Sequence, residues 1–183
     1  VALIAAVIFS YFGFETFQNR LNSVFDMNYD GNIHRLYLWK ANWLMFLDHP
    51  LWGIGFEVDT HREIVGNYLN TFAPHTIMRS HPHSTYLNYL SGLGIFGFIF
   101  LMLFLAINIK NSFDGIQLAQ TPFERCFFWG ILGAQAILLI GGLTECMLED
   151  IELNHQYVFY IAAQQAYLTH LRAKLARRES APL

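Results

Sequence analysis

The sequence predicts an all-α, polytopic integral membrane protein, its spans interrupted by one large outward loop that carries short interfacial helices. Three observations predict it. Of 183 residues 54% are hydrophobic and 14% charged, against roughly 25% charged in average globular chains. Apolar stretches recur at 85–108, 126–143 and 157–171, the first about long enough for a ~30 Å hydrocarbon core. The loops between them are sharply asymmetric in charge: Arg172, Lys174, Arg177 and Arg178 occupy the tail 172–183, whereas loop 144–156 carries Glu145, Glu149, Asp150 and Glu152 and no Lys or Arg.

Taken in order, 1–14 is apolar from Val1, with no initiator Met and no basic region ahead of it, and reads as the end of a span entered partway. Residues 15–84 form a loop too long and too patterned for a plain linker. The span 85–108 is followed by a polar loop, 109–125, holding Lys110 and Arg125. The spans 126–143 and 157–171 enclose the acidic loop. Because positive residues stay on the cytoplasmic side of short loops, the tail and 109–125 are expected inside and the large loop outside. Every histidine except His170 is then outward.

Within the large loop, Asn32–Leu47 has helical periodicity, with Leu36, Trp39, Trp43, Phe46 and Leu47 recurring and Arg35, Trp39 and Asn42 on one face. Asp48-His49-Pro50 ends it, and its tryptophans suit a membrane interface. Leu51-Trp52-Gly53-Ile54-Gly55-Phe56 reads as a turn with permissive glycines. Gly94 and Gly97 lie one helical turn apart with Ser91 nearby, and are read as small residues admitting another helix. Gly130 with Gly133, and the Gly141–Gly142 pair, are read the same way. Gln135, Gln164 and Gln165 are read as hydrogen-bonding between spans. Cys126 and Cys146 bracket one apolar segment and, about 30 Å apart along a helix, cannot form a disulfide.

The strongest chemical signal is Ser80-His81-Pro82-His83-Ser84, where the outward loop becomes a span. Ser84 can cap the helix, and the positive end of that helix favours a neutral, basic imidazole at His83. His81 is the adjoining polar candidate. Arg35, Arg62 and Arg79 are the outward cations suited to an anion such as phosphate. Glu145, with Glu149 and Asp150 nearby, either orients the histidine, meets sugar hydroxyls, or is a solvated acid that helps set topology. A metal set drawn from His75, His81, His83 and Asp59 or His61 lacks the spacing of a zinc site, so no metal is expected. The net charge of −3 supplies no basic field for nucleic acid. There is neither a P-loop nor a Gly-x-Ser-x-Gly elbow.

His83-Ser84, then nine residues, Gly94, two residues and Gly97 resembles the signature of the bacterial O-antigen ligase and polymerase superfamily, which includes protein O-oligosaccharyltransferases. Arg35-Leu36-Tyr37-Leu38-Trp39, followed by His49 to Gly55, resembles its outer-loop segment, and Gly142-Leu143-Thr144-Glu145 its later outer loop. The resemblance covers about Arg35 to Asp150; many members have Asn where Ser84 stands. It implies a C-type, metal-independent, inverting glycosyltransferase of the inner membrane without a cofactor. Such an enzyme passes a glycan from undecaprenyl pyrophosphate to a hydroxyl of a lipid, glycan or protein on the periplasmic side, among membrane lipids. His83 would be the base or acceptor-orienting group and Arg35 the pyrophosphate holder, with Arg79 or Arg62 in reserve and His81 and Glu145 at the substrate. Ligase and polymerase share these features. A transporter or a metal-sensing membrane protein are the non-enzyme alternatives.

Overall fold

The computed structural model describes residues 18–19, 29–56, 58–75 and 81–179. The expected span 1–14 and Arg79 lie outside them. Five helices follow in order: α1 (Asp30–Asp48), α2 (Val58–Phe72), α3 (Thr85–Leu118), α4 (Pro122–Gly141) and α5 (Ile151–Glu179). No strand occurs among the described residues.

Helix α1 ends where Pro50 forbids a further turn, with His49 already outside helical geometry. It pairs with α2 through Leu38, Ala41 and Met45 against Val65, Leu69 and Ala73. The apolar residues whose recurrence marked this helix lie mostly off that seam. Leu36, Trp43 and Leu47 are exposed, while the seam uses the residues between them, because two faces of α1 are apolar and only one meets α2. Tyr68 hydrogen-bonds Asp48 across the pair, and that bond to a carboxylate pushes the phenol up to about 12.

Helices α3 and α4 are long and apolar enough to cross a membrane. Their outward faces carry Phe100, Leu103, Ile107, Trp129, Ile137 and Ile140, all exposed, the surface expected against lipid. The expected span 157–171 lies inside α5. Thr121 and Glu124 form a capping box at the start of α4, with Pro122 in the first turn, so the turn from α3 needs only 119–121. Gly115 of α3 lies against the ring of Phe128.

The three helices are joined by a buried amide network. Gln164 donates to the carbonyl of Asn108 at 2.8 Å and to Ser112 Oγ at 2.7 Å. Ser112 donates to Gln135 at 3.2 Å, and Gln135 to Gln164 at 3.5 Å. Gln135 and Gln164 therefore bond between helices as expected; Gln165 takes no part.

The glycine reading changes. Gly94 sits at a break inside α3, with φ 67° and ψ −168°, a region almost confined to glycine. The break exposes backbone groups that the loop after α1 satisfies. Ile54 N–H donates to the Ser91 carbonyl at 3.1 Å, Gly55 N–H to that of Gly92 at 2.7 Å, and Ile95 N–H to that of Pro50 at 2.8 Å. A side chain on Gly94 would run into the Leu51 carbonyl, and one on Gly53 (φ 64°) into the Gly92 backbone. The motif glycine thus admits a loop, not a helix. Gly97 faces Leu93 of its own helix, and nothing described lies within 4 Å of a side chain on Gly130 or Gly133. Gly142 does allow a close approach, to Thr85. Spacing on a helix cannot separate a packing glycine from a conformational one.

Gly94→Ala is expected to destabilise the protein by about 2 kcal/mol or more, read as a lowered melting temperature in detergent, whereas Gly130→Ala leaves it unchanged or raised. Equal melting of the two variants would contradict the clamp.

Candidate active site

The site forms where the start of α3 meets α1 and the loop between α4 and α5. Ser84 is the N-cap of α3, its hydroxyl accepting from Leu87 N–H. Thr85 then fastens the later loop: its N–H donates to the Gly142 carbonyl at 2.8 Å and its hydroxyl to the Glu145 carbonyl at 3.0 Å. The same hydroxyl accepts from Met147 N–H at 3.0 Å. Glu145 is thereby brought over the helix start, although 62 positions separate it from His83.

His83 has φ 50°, left-handed backbone that costs a non-glycine residue about 1–3 kcal/mol. The bend folds His81 back, the two rings meeting edge to face with centroids 4.5 Å apart. His83 N–H donates to His81 Nδ1 at 3.3 Å. His83 Nδ1 lies 2.8 Å from Glu145 Oε2, and the other carboxylate oxygen is 2.6 Å from Arg35 Nη2. Arg35 Nη1 donates to the Thr144 carbonyl at 3.2 Å. Burial would raise the Glu145 carboxyl, but the His83 hydrogen bond and the charges of His83 and Arg35 outweigh it and hold the group below the usual carboxylate range.

Chemically this is a cation, a carboxylate and an imidazole in line. With Nδ1–H on Glu145, His83 keeps a lone pair at Nε2 to take a proton, the logic of a base oriented by a carboxylate. Arg35 touches the carboxylate, two of its N–H groups being used there and on the loop. Asn42, on the same face of α1, accepts from Ser91 Oγ at 2.8 Å and holds α1 in this register.

The remaining candidates divide. His81 and Glu145 line a cleft of about 390 Å³ with Cys146, Glu149 and Asp150. Arg62 does not join them; it lines a separate cleft with His61 and Asn88. His75 is exposed, so the histidine set considered for metal does not assemble. Among the described residues the grouping that does is His81, Cys146 and Glu149, their ligating atoms within 4.8 Å of one another. Sequence reasoning missed it because it depends on the Thr85 fastening. Its donors are poorly prepared for a cation. His81 Nδ1 already accepts from His83 N–H, and burial, with the Glu149 charge, pushes the Cys146 thiol up to about 12. Both cysteines are free.

Two apolar helices of membrane length fit an integral membrane protein. The O-antigen ligase family model matches residues 1–102, more than half of the chain and including Arg35, His83, Gly94 and Gly97. The chain belongs to that family. No curated protein and no solved structure matches it. Glu145 lies beyond the matched segment, so its place beside His83 is a finding of the fold alone.

A carboxyl whose pKa is lower folded than unfolded contributes stability above its unfolded value and loses it as pH falls through the folded one. The melting-temperature difference between the native protein and Glu145→Gln is therefore expected to shrink as pH falls below the ordinary value of 4.5. A difference that grew below that pH would contradict the Arg35–Glu145–His83 link.

Proposed function

We propose that this family member is a glycosyltransferase of the bacterial inner membrane, moving a glycan from undecaprenyl pyrophosphate to a hydroxyl acceptor on the periplasmic side. The observation that carries the reading is the Arg35–Glu145–His83 line at the outer end of α3. The acceptor hydroxyl gives its proton to His83 Nε2 as its oxygen attacks the anomeric carbon. The bond from that carbon to the pyrophosphate oxygen breaks, and undecaprenyl pyrophosphate departs with the electron pair. Attack opposite the leaving group inverts the centre.

Each residue has a role in this scheme. His83 is the base, and Glu145 holds its tautomer and stabilises the imidazolium that forms. Arg35, partly exposed beside Glu145, turns its remaining N–H groups and its charge to the pyrophosphate, with Arg79 as a further cation. His81 braces His83 and faces the cleft beside it. Pyrophosphate is already a good leaving group and needs cations more than a metal, so transfer proceeds without one. The same machinery serves ligation to lipid or protein and polymerisation of a glycan; the acceptor alone distinguishes them.

In the full-length protein reconstituted in liposomes, His83→Ala is expected to lower transfer by about 10²–10⁴-fold while membrane insertion is retained. Glu145→Gln should fall in the same direction by less. Transfer at the native rate by His83→Ala would sink the assignment. Excess chelator should leave the rate unchanged, and its loss on chelation with recovery on adding zinc would favour a metal at His81, Cys146 and Glu149.

A further inference from the structure

A second cleft, of about 470 Å³, opens on the other side of Glu149 from the one described above; it is lined by Phe56, His61, Arg62, Asn88, Tyr89 and Glu149 together with Leu148. That volume lies within the range of ~300–1,000 Å³ usual for small-molecule sites. Its most unusual member is His61, which is 4% exposed, and both of whose ring nitrogens lack a hydrogen-bond partner. A buried polar group left so costs about 1–3 kcal/mol, and His61 lines the cleft. Burial, with the charge of His81 beside it, holds His61 below the ordinary imidazole range. At neutral pH it therefore offers one N–H and one lone pair.

Around it are the other elements that recognise a sugar ring. Phe56 and Tyr89 meet edge to face at 5.1 Å, an apolar wall for the C–H face of a pyranose. Asn88 hydrogen-bonds Glu149, fixing a carboxylate that can accept from hydroxyls, while Arg62 can donate to them. A sugar hydroxyl both donates and accepts, which is what a neutral His61 requires. A pyrophosphate fits poorly, since Glu149 would repel it. The cleft shares Glu149 with the cavity that holds Glu145, so a ring seated here lies next to the reacting pair.

We infer that the His61 cleft is a saccharide subsite that binds one neutral sugar ring of a glycan substrate beside the His83–Glu145 pair. The inference rests on the glycosyl-transfer reading for its substrate class, and its test separates the two. Full-length protein in nanodiscs is titrated with two probes released from lipopolysaccharide by mild acid, the core oligosaccharide and the O-chain repeat oligosaccharide. Native protein is expected to bind one of them; core binding assigns the ring to the acceptor, and repeat binding to the donor. His83→Ala binds equally well although it does not transfer. His61→Leu loses at least about tenfold in affinity while melting no lower than native, because it removes an unsatisfied buried group. Should His61→Leu fail to fold, Glu149→Gln at the exposed rim is expected to show the same loss. Native affinity in both folded variants, or no binding of either probe by the native protein, would overturn the subsite; transfer at the native rate by His83→Ala with binding intact would leave it standing and overturn the catalytic reading instead.

Discussion

The arrangement hangs on the break at Gly94. An apolar helix near a membrane surface cannot leave backbone groups bare, because neither lipid nor a neighbouring side-chain wall satisfies them. Once Gly94 leaves helical geometry, carbonyls at Ser91 and Gly92 and the N–H of Ile95 need partners, and the loop from Pro50 to Gly55 supplies all three. That obligation docks the end of α1 on α3. From there Asn42 reaches Ser91 and Arg35, nearly two turns earlier on the same face, reaches Glu145. Gly53 and Gly94, one on each side of the clamp, are thus upstream of the site, though neither lies in it.

The second constraint is the single hydroxyl of Thr85. It accepts from Met147 N–H and donates to the Glu145 carbonyl, which locks the loop after α4 over the start of α3. The left-handed backbone at His83 then turns its ring to the carboxylate. Strain of this kind persists only where surrounding contacts over-determine the geometry. Here they are the Ser84 cap behind, the His81 ring in front and Glu145 above. Removing one weakens the hold on the others, so the site behaves as a unit.

What the sequence made legible follows how local each signal is. The Ser84 cap and the Arg35–Trp39–Asn42 face were readable because capping and helical phase involve neighbours within two turns. The membrane-length helices were readable from composition. The pairing of His83 with Glu145 was one of three readings of the acidic loop and could not be singled out, because it depends on a backbone fastening between residues about sixty positions apart. Cys146 joins His81 for the same reason. Gly94 was visible and its role misread, since a small residue one turn from another suggests packing whether or not its backbone is helical. The two faces of α1 were likewise both apolar, and only the presence of α2 decides which is covered.

The polar groups at the two ends of the bundle show what the fold protects and what it leaves open. Between α3, α4 and α5, Gln164 and Gln135 are buried with their partners in place, so the amide network there specifies how the helices register and asks nothing of a ligand. Beside the start of α3, His61 is buried yet has both nitrogens unused, and it lines a cleft. The cost of burying a polar group without a partner applies to it. Tyr157 OH in the bundle and Trp39 Nε1 on α1 are unpaired as well, so His61 is set apart by lining a cleft, where an incoming hydroxyl could restore what its burial costs.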